Sequence, residues 1–110
     1  MILRFRAIDK DIFEAIRSGK KKVETRANTS RYKNIKAGNV IKFVCGDESF
    51  EKGAEKVEVF ENIDKLLEKY KPEDINPKIT TKEALKTMYY NFPGYRGKIE
   101  QFGIIAFELK

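Results

Sequence analysis

Short stretches of the chain place apolar residues at every second position or in an unbroken run, the two patterns typical of β-strands with one or both faces buried. Such stretches occur at residues 2–7, 22–26, 40–45, 50–60 and 103–109. In the second of them, Lys22, Glu24 and Arg26 occupy alternate positions, so one face of that strand is predicted to be polar. The pattern therefore predicts five strands, of which residues 40–45 form the clearest core strand.

The first predicted helix follows the first strand and carries an apolar stripe at helical spacing. Asp9 or Asp11 is predicted to cap its start. Ser18-Gly19 is predicted to end it, because glycine takes a positive φ easily. The core-facing residues predicted for this helix are Ile8, Ile12, Phe13 and Ile16.

Two further helices are predicted in the second half of the chain. One begins after Asn62 and ends before Pro72, and residues 72–77 are then predicted to form a loop. The other begins with a capping box made by Thr80 and Glu83. The final apolar run follows it and is predicted to close the sheet.

Five or six strands interrupted by short helices, with strands near both ends of the chain, favour an α+β domain whose sheet forms a small, largely closed barrel. An open α+β sheet is the alternative. A chain of 110 residues has the usual length of one domain, so we expect residues 1–110 to form a single unit. A dinucleotide-binding fold is not predicted, because no Gly-rich turn joins a strand to a helix.

Positive charge is concentrated in one segment, residues 17–36. This basic stretch contains eight Lys and Arg residues and one acidic residue, a net charge of +7, whereas the whole chain carries +6. The other ninety residues are therefore close to neutral. Clustered Lys and Arg neutralise phosphates, so the stretch suggests a site for a polyanion, with a solvated surface loop as the alternative.

The chain contains no histidine and a single cysteine, a composition that excludes several kinds of site. Ser-His-Asp and Cys-His catalytic centres need histidine, and zinc or iron sites need several His or Cys ligands. We therefore expect no metal and no cofactor. Cys45 lies inside the core strand and is predicted to be an inert buried thiol.

The same composition bears on location. One cysteine cannot form an internal disulfide, which fits a reducing compartment. No apolar run approaches the roughly 20 residues of a membrane span, and the first ten residues do not follow the pattern of a signal peptide. We expect a soluble cytoplasmic protein that has no membrane partner, with a monomer as the favoured oligomeric state.

The most informative motif is Gly-Lys-Lys-Lys-Val-Glu-Thr-Arg at residues 19–26, which contains the pattern G-x-K-x-x-E-x-R after an amphipathic helix. With the following turn at Gly38 and the apolar strand after it, the sequence resembles the ASCH domain, a relative of the PUA RNA-binding domain, over nearly its whole length. The resemblance implies a small PUA-like mixed β-barrel of five to six strands with short flanking helices. It also implies a cleft, lined by the motif, that binds RNA or a nucleotide-like ligand. The chain has Asn39 where the family usually has aspartate.

One branch of that family, the small bacterial acetylcytidine amidohydrolases, is similar in length. The resemblance to this branch implies catalytic roles for Lys21 and Glu24 if the protein is an enzyme. Glu24 stands where those enzymes carry threonine, and their downstream glutamate has no match unless Glu73 is reached by a shift. Without a metal, a catalytic lysine would need a lowered pKa, which burial or the neighbouring Lys20 and Lys22 could supply.

Strict alternation along the second strand would point Lys21 away from Glu24 and Arg26. A common site for the three therefore requires a loop or bulge at residues 19–21, which Gly19 permits. Two alternatives stay open nearby. Glu24 and Arg26 could form only an ion pair that holds the cleft wall, and Tyr32 could either stack on a base or anchor its loop in the core.

The leading hypothesis is thus an RNA- or nucleotide-binding module with a basic cleft. The alternatives are a metal-independent amidohydrolase acting on an acylated cytidine, and a protein-interaction domain for an acidic partner. The predicted ligand-binding residues are Lys20, Lys21, Lys22, Glu24, Arg26, Arg31, Tyr32 and Lys33.

Overall fold

A computed structural model describes residues 1–110 and contains five β-strands and five α-helices. The strands are β1 (Ile2–Phe5), β2 (Val23–Ala27), β3 (Val40–Cys45), β4 (Glu48–Phe60) and β5 (Ile104–Leu109). The helices are α1 (Lys10–Arg17), α2 (Ile63–Lys69), α3 (Pro72–Ile75), α4 (Lys82–Asn91) and α5 (Tyr95–Phe102). Short 3-10 turns occupy Ala7–Asp9 and Ser30–Tyr32. The predicted α+β class is confirmed, and every predicted strand is present.

The five strands form one curled sheet, a half-barrel, in the order β1-β3-β4-β5-β2. β1 pairs with β3 in parallel, and the other neighbours are antiparallel, so the sheet is mixed as expected. β4 is long enough to pair with β3 through its first half and with β5 through its second half. The register shifts between Ala54 and Lys56, just after Gly53, and such irregularities increase the local twist that curls a sheet.

β5 is buried on both faces and separates two apolar clusters. Ile104 and Ala106 belong to a cluster formed with helices α2–α5, whereas Ile105 and Phe107 belong to a second cluster formed with α1, β1 and β3. Side chains of a strand alternate between the two faces of a sheet, so an unbroken apolar run is what this central position requires. Cys45 is buried in the second cluster, as predicted.

The start of the first helix differs from the prediction. Residues 7–9 form a separate 3-10 turn, so α1 begins only at Lys10 and Ile8 does not join its buried stripe. Ile8 is instead 79% exposed. Neither predicted aspartate caps the helix conventionally. The Asp9 side chain makes no capping bond, and Asp11 lies inside the helix and accepts from the adjacent Ile12 N–H and from Lys78.

Two helix boundaries in the second half also need correction. Asn62 caps α2 as predicted, but Pro72 begins the short helix α3 inside the segment predicted to be a loop. Proline is suited to a first helical turn because its missing N–H would be unpaired there in any case. The cap of α4 is Thr81, not Thr80, and its hydroxyl accepts from the Ala84 N–H at 3.2 Å. None of the helices combines the length and the apolar character needed to cross a membrane.

Candidate functional site

A cleft of about 640 Å³ opens between the two apolar clusters. Its walls come from residues 4–12, which run from the end of β1 to the start of α1, from Lys21 and β2, from the end of α3 and from helices α4 and α5. Both apolar clusters reach it, the second through Phe5 and Ile12 and the first through Met88 and Tyr95. The motif residues that line the cleft are Lys21, Glu24, Thr25 and Arg26.

Lys21 reaches the cleft because the chain leaves α1 through a loop rather than entering β2 directly. Gly19 has φ of 83°, a conformation that glycine adopts without strain, and it turns the chain back so that the Lys21 N–H donates to Ala15 O at 2.9 Å. The Lys22 N–H donates to Asp74 O, which fixes the loop against α3. The loop expected from the alternation argument is therefore present, and it brings Lys21 to the same side as Glu24.

The Lys21 ammonium is enclosed by protein acceptors. The residue is only 4% exposed, and Nζ donates to Val23 O at 2.9 Å and to Ile75 O. Nζ also lies 3.6 Å from Glu24 Oε1. Burial lowers the pKa of Lys21, while the Glu24 charge opposes that shift. The ammonium thus ties β2 to the end of α3.

Glu24 is the centre of a short chain of buried charges. Its Oε1 accepts from the Thr25 N–H at 2.9 Å, and its Oε2 lies 3.5 Å from Arg26 Nη2. Burial alone would raise the pKa of the Glu24 carboxyl, but Lys21 and Arg26 together hold it below its ordinary value of 4.5. The carboxylate is therefore ionised at neutral pH, and it forms an ion pair with Arg26.

Arg26 is the most accessible of the three charged residues. Its side chain is 23% exposed, and its guanidinium lies 5.3 Å from the centre of the Phe5 ring, within cation–π range. Arginine has several N–H donors, and only the one directed at Glu24 is used. The remaining donors are available at the floor of the cleft.

Tyrosine hydroxyls form a second layer that the sequence pattern did not predict. Tyr89 OH is bonded to Thr25 Oγ1, and Tyr95 OH accepts from the Ala27 N–H at 3.3 Å. The two rings are nearly parallel, with centres 6.5 Å apart, and Phe92 packs edge-on against Tyr95. By its spacing in the sequence, Tyr89 falls on the apolar stripe of α4. A buried tyrosine hydroxyl needs a polar partner, which is the signal that could have identified it.

The charged rim of the cleft also differs from the predicted residues. Arg4, Arg6 and Lys98 lie along it, together with two aspartates that are already paired. Asp9 contacts Arg6 at 3.0 Å, and Asp11 contacts Lys78 at 2.6 Å. The predicted bases that are exposed but do not line the cleft are Lys20, Lys22, Arg31 and Lys33.

Tyr32 lies in the core. Of the two alternatives that the sequence left open, stacking on a base or anchoring its loop, the structure shows the second. Tyr32 is 6% exposed and its ring centre is 6.1 Å from that of Phe107. Arg31 covers the edge of β1 by donating to Ile2 O at 2.8 Å. The ring of Tyr32 is therefore not presented to a ligand in this structure. No group of three or more acidic or cysteine side chains is placed to hold a metal ion.

Replacing Lys21 with methionine should destabilise the protein strongly. Lys21→Met keeps the apolar stem but removes the donor to two buried carbonyls and one of the two cations beside the Glu24 carboxylate. We expect this to cost about 3 kcal/mol in the free energy of unfolding. The matched control is Lys22→Met, at an exposed neighbour, which should change that free energy by less than about 0.5 kcal/mol. Urea denaturation measures both. Equal effects of the two substitutions would show that the Lys21 contacts do not stabilise the fold.

Comparison with known proteins identifies the family. The family model described as "ASCH domain" matches residues 7–110. The structure is similar to the crystal structure of the hypothetical protein PH0355, with a TM-score of 0.79, 23% identity and coverage of 100% of this chain and 98% of the other. It is also similar to the solution structure of protein PF0455 from Pyrococcus furiosus, with a TM-score of 0.72, 24% identity and coverage of 100% and 96%. A comparison with curated proteins finds no match. The family match spans almost the entire chain, and on that basis this protein belongs to the ASCH domain family.

Proposed function

We propose that this ASCH domain binds RNA or a nucleotide-like ligand, and that the ligand enters the cleft above Glu24 and Arg26. The observation that carries the proposal is the Glu24–Arg26 pair, in which Glu24 is buried and the partly exposed guanidinium keeps free donors facing a concave, partly aromatic cleft. Surface ion pairs stabilise proteins by only about 0–1 kcal/mol, and buried ones often give no net gain. Stability alone therefore does not explain why this pair is buried. Contact with a ligand does.

The shape of the cleft favours a nucleotide over an extended strand. Its volume of about 640 Å³ falls within the range of small-molecule sites. Phe5, Phe92 and Tyr95 supply ring faces or edges along its walls. Proteins that read single-stranded RNA stack unpaired bases on such rings and bind their polar edges. One nucleotide inside the cleft, with any flanking strand outside it, is consistent with this geometry.

Phosphate groups are proposed to contact the rim. Arg4 and Lys98 are exposed and are in no ion pair with an acidic side chain, so both charges are free for a phosphate. The exposed bases predicted from the sequence, Lys20, Lys22, Arg31 and Lys33, are proposed to contact phosphates further along an RNA strand. In this proposal the cleft recognises the base, and the basic stretch contacts only the phosphates of the flanking strand.

RNA affinity should fall with salt in a way that depends on the rim. Each phosphate contact to single-stranded RNA contributes about 0.7 to the slope of log affinity against log salt. Arg4→Gln combined with Lys98→Gln should therefore lower that slope by about 1.4, as measured by fluorescence anisotropy with a labelled oligonucleotide. The matched control is Lys56→Gln combined with Lys65→Gln, which removes the same charge outside the cleft.

Two results would contradict this assignment. If the rim variant and the control variant changed the slope equally, the loss of net charge would explain the change, and no phosphate contact at the rim would be needed. Binding that does not depend on salt would exclude phosphate contacts altogether. Lys20→Ala combined with Lys22→Ala adds information, because a loss of affinity for an oligonucleotide but not for a mononucleotide would place the flanking strand on the basic stretch.

An amidohydrolase acting on acylated cytidine is the second candidate, and one observation favours it. Burial lowers the pKa of Lys21, as a catalytic base or nucleophile requires. The surroundings of Lys21 favour binding instead, because Nζ is engaged by two carbonyls and lies next to an ionised Glu24. Glu73, the nearest match for the downstream acid, is exposed and does not line the cleft.

Incubation with N-acylated cytidine distinguishes the two candidates. We expect little or no release of cytidine by the wild-type protein, as followed by chromatography, because Lys21 has no free face for the carbonyl carbon. Lys21→Arg is the decisive variant, since arginine keeps the charge but does not lose its proton near neutral pH. Efficient hydrolysis by the wild type that Lys21→Arg abolishes, without loss of RNA binding, would favour the enzyme.

A further inference from the structure

Glu24 retains unused capacity to accept hydrogen bonds. An ionised carboxylate offers about four acceptor positions. Within the protein, Glu24 accepts one bond from the Thr25 N–H at 2.9 Å and one long bond from Arg26 at 3.5 Å. Lys21 Nζ lies 3.6 Å from Oε1, as an ion pair and not as a hydrogen-bond donor. Its side chain is 94% buried, with 6% exposed, and it is among the residues that line the cleft. A ligand in the cleft can therefore donate hydrogen bonds to this carboxylate.

The groups beside Glu24 determine what else the ligand must present. Arg26 offers free N–H donors from its partly exposed guanidinium, so the ligand must place an acceptor atom next to it. Lys21 does not contribute a donor, because its ammonium is directed at Val23 O, Ile75 O and Glu24. The floor of the cleft thus presents the Arg26 N–H donors beside the Glu24 carboxylate, which only accepts hydrogen bonds.

We propose that this floor selects guanine among the bases, an inference that rests on the proposed nucleotide-binding function. The Watson–Crick edge of guanine carries, in order, the O6 acceptor, the N1–H donor and the N2 amino donor. O6 would accept from Arg26, while N1–H and N2–H would donate to the Glu24 carboxylate. Adenine, cytosine and uracil place only one donor group on that edge, so none of them can fill both acceptor positions of the carboxylate.

Charge strengthens this selectivity. Hydrogen bonds to an ionised group are stronger than those between neutral groups, and a buried carboxylate that loses a donor is not compensated by water. Hypoxanthine differs from guanine only by lacking the N2 amino group. Inosine monophosphate therefore isolates the second hydrogen bond to Glu24, while keeping the ring, the sugar and the phosphate unchanged.

The experiment is isothermal titration calorimetry of the wild-type protein with the monophosphates of guanosine, inosine, adenosine, cytidine and uridine. Guanosine monophosphate should bind most tightly, and inosine monophosphate about tenfold more weakly. Equal affinity for these two, or tighter binding of any other nucleotide, would overturn the guanine assignment and leave nucleotide binding intact. Failure of every nucleotide and of a mixed-sequence RNA to bind would overturn the proposed function as well.

A variant at Glu24 provides the matching test. Glu24→Gln replaces one carboxylate oxygen with an amide N–H₂, which faces a donor of guanine, so the tenfold preference for guanosine over inosine monophosphate should disappear. Glu73→Gln, at an exposed glutamate outside the cleft, should keep the preference. A Glu24→Gln protein that melts cooperatively yet still prefers guanosine monophosphate would contradict the inference. If that variant does not fold, the comparison of the two nucleotides on the wild type decides.

Discussion

Three charged side chains lie in one row, Lys21 and Glu24 buried and Arg26 partly buried, and their need for partners constrains the site and its surroundings. Removing an ion from water costs several kcal/mol, so Lys21, Glu24 and Arg26 can be buried only if each meets a partner. Glu24 meets both cations, and Lys21 needs the carbonyls of Val23 and Ile75 in addition. These contacts require the loop at Gly19 and the short helix α3 to lie where they do. The local backbone is therefore shaped by the charges that it encloses.

The sheet places this row of charges at a boundary between two cores. β5 is buried on both faces, and β2 pairs with it at the edge of the sheet, where helices α4 and α5 approach. On the other side, Phe5 packs against the core closed by α1, and the 3-10 turn after β1, which has no buried residue, lines the cleft. The cleft opens where the two cores do not meet, and the polar face of β2 forms its floor. Its location follows from the strand order.

The periodicity of the chain was sufficient to predict all five strands, because each must bury one or both faces in a fixed register. Alternation also showed that Lys21, Glu24 and Arg26 can share a site only if residues 19–21 form a loop or bulge, and such a loop is present. Ile8 was assigned wrongly because a 3-10 turn shifts the stripe ahead of α1, and Pro72 was treated as a stop although proline also begins helices. The partners of Thr25 and the rim residues Arg4 and Lys98 come from distant segments, and no local pattern encodes those contacts.

The charge count was accurate but did not identify the cleft. Most of the basic stretch is exposed and lies outside it, whereas the buried motif residues are almost neutral as a group.

Titration of the ¹⁵N-labelled protein with a short single-stranded RNA, followed by ¹H–¹⁵N spectra, tests most directly whether the row formed by Lys21, Glu24 and Arg26 is the ligand site. Binding in the cleft predicts that the shifts concentrate at the amides of residues 24–27 and 89–95 and at the Arg26 side chain. Shifts confined to Lys20, Lys22 and residues 31–36 would contradict it.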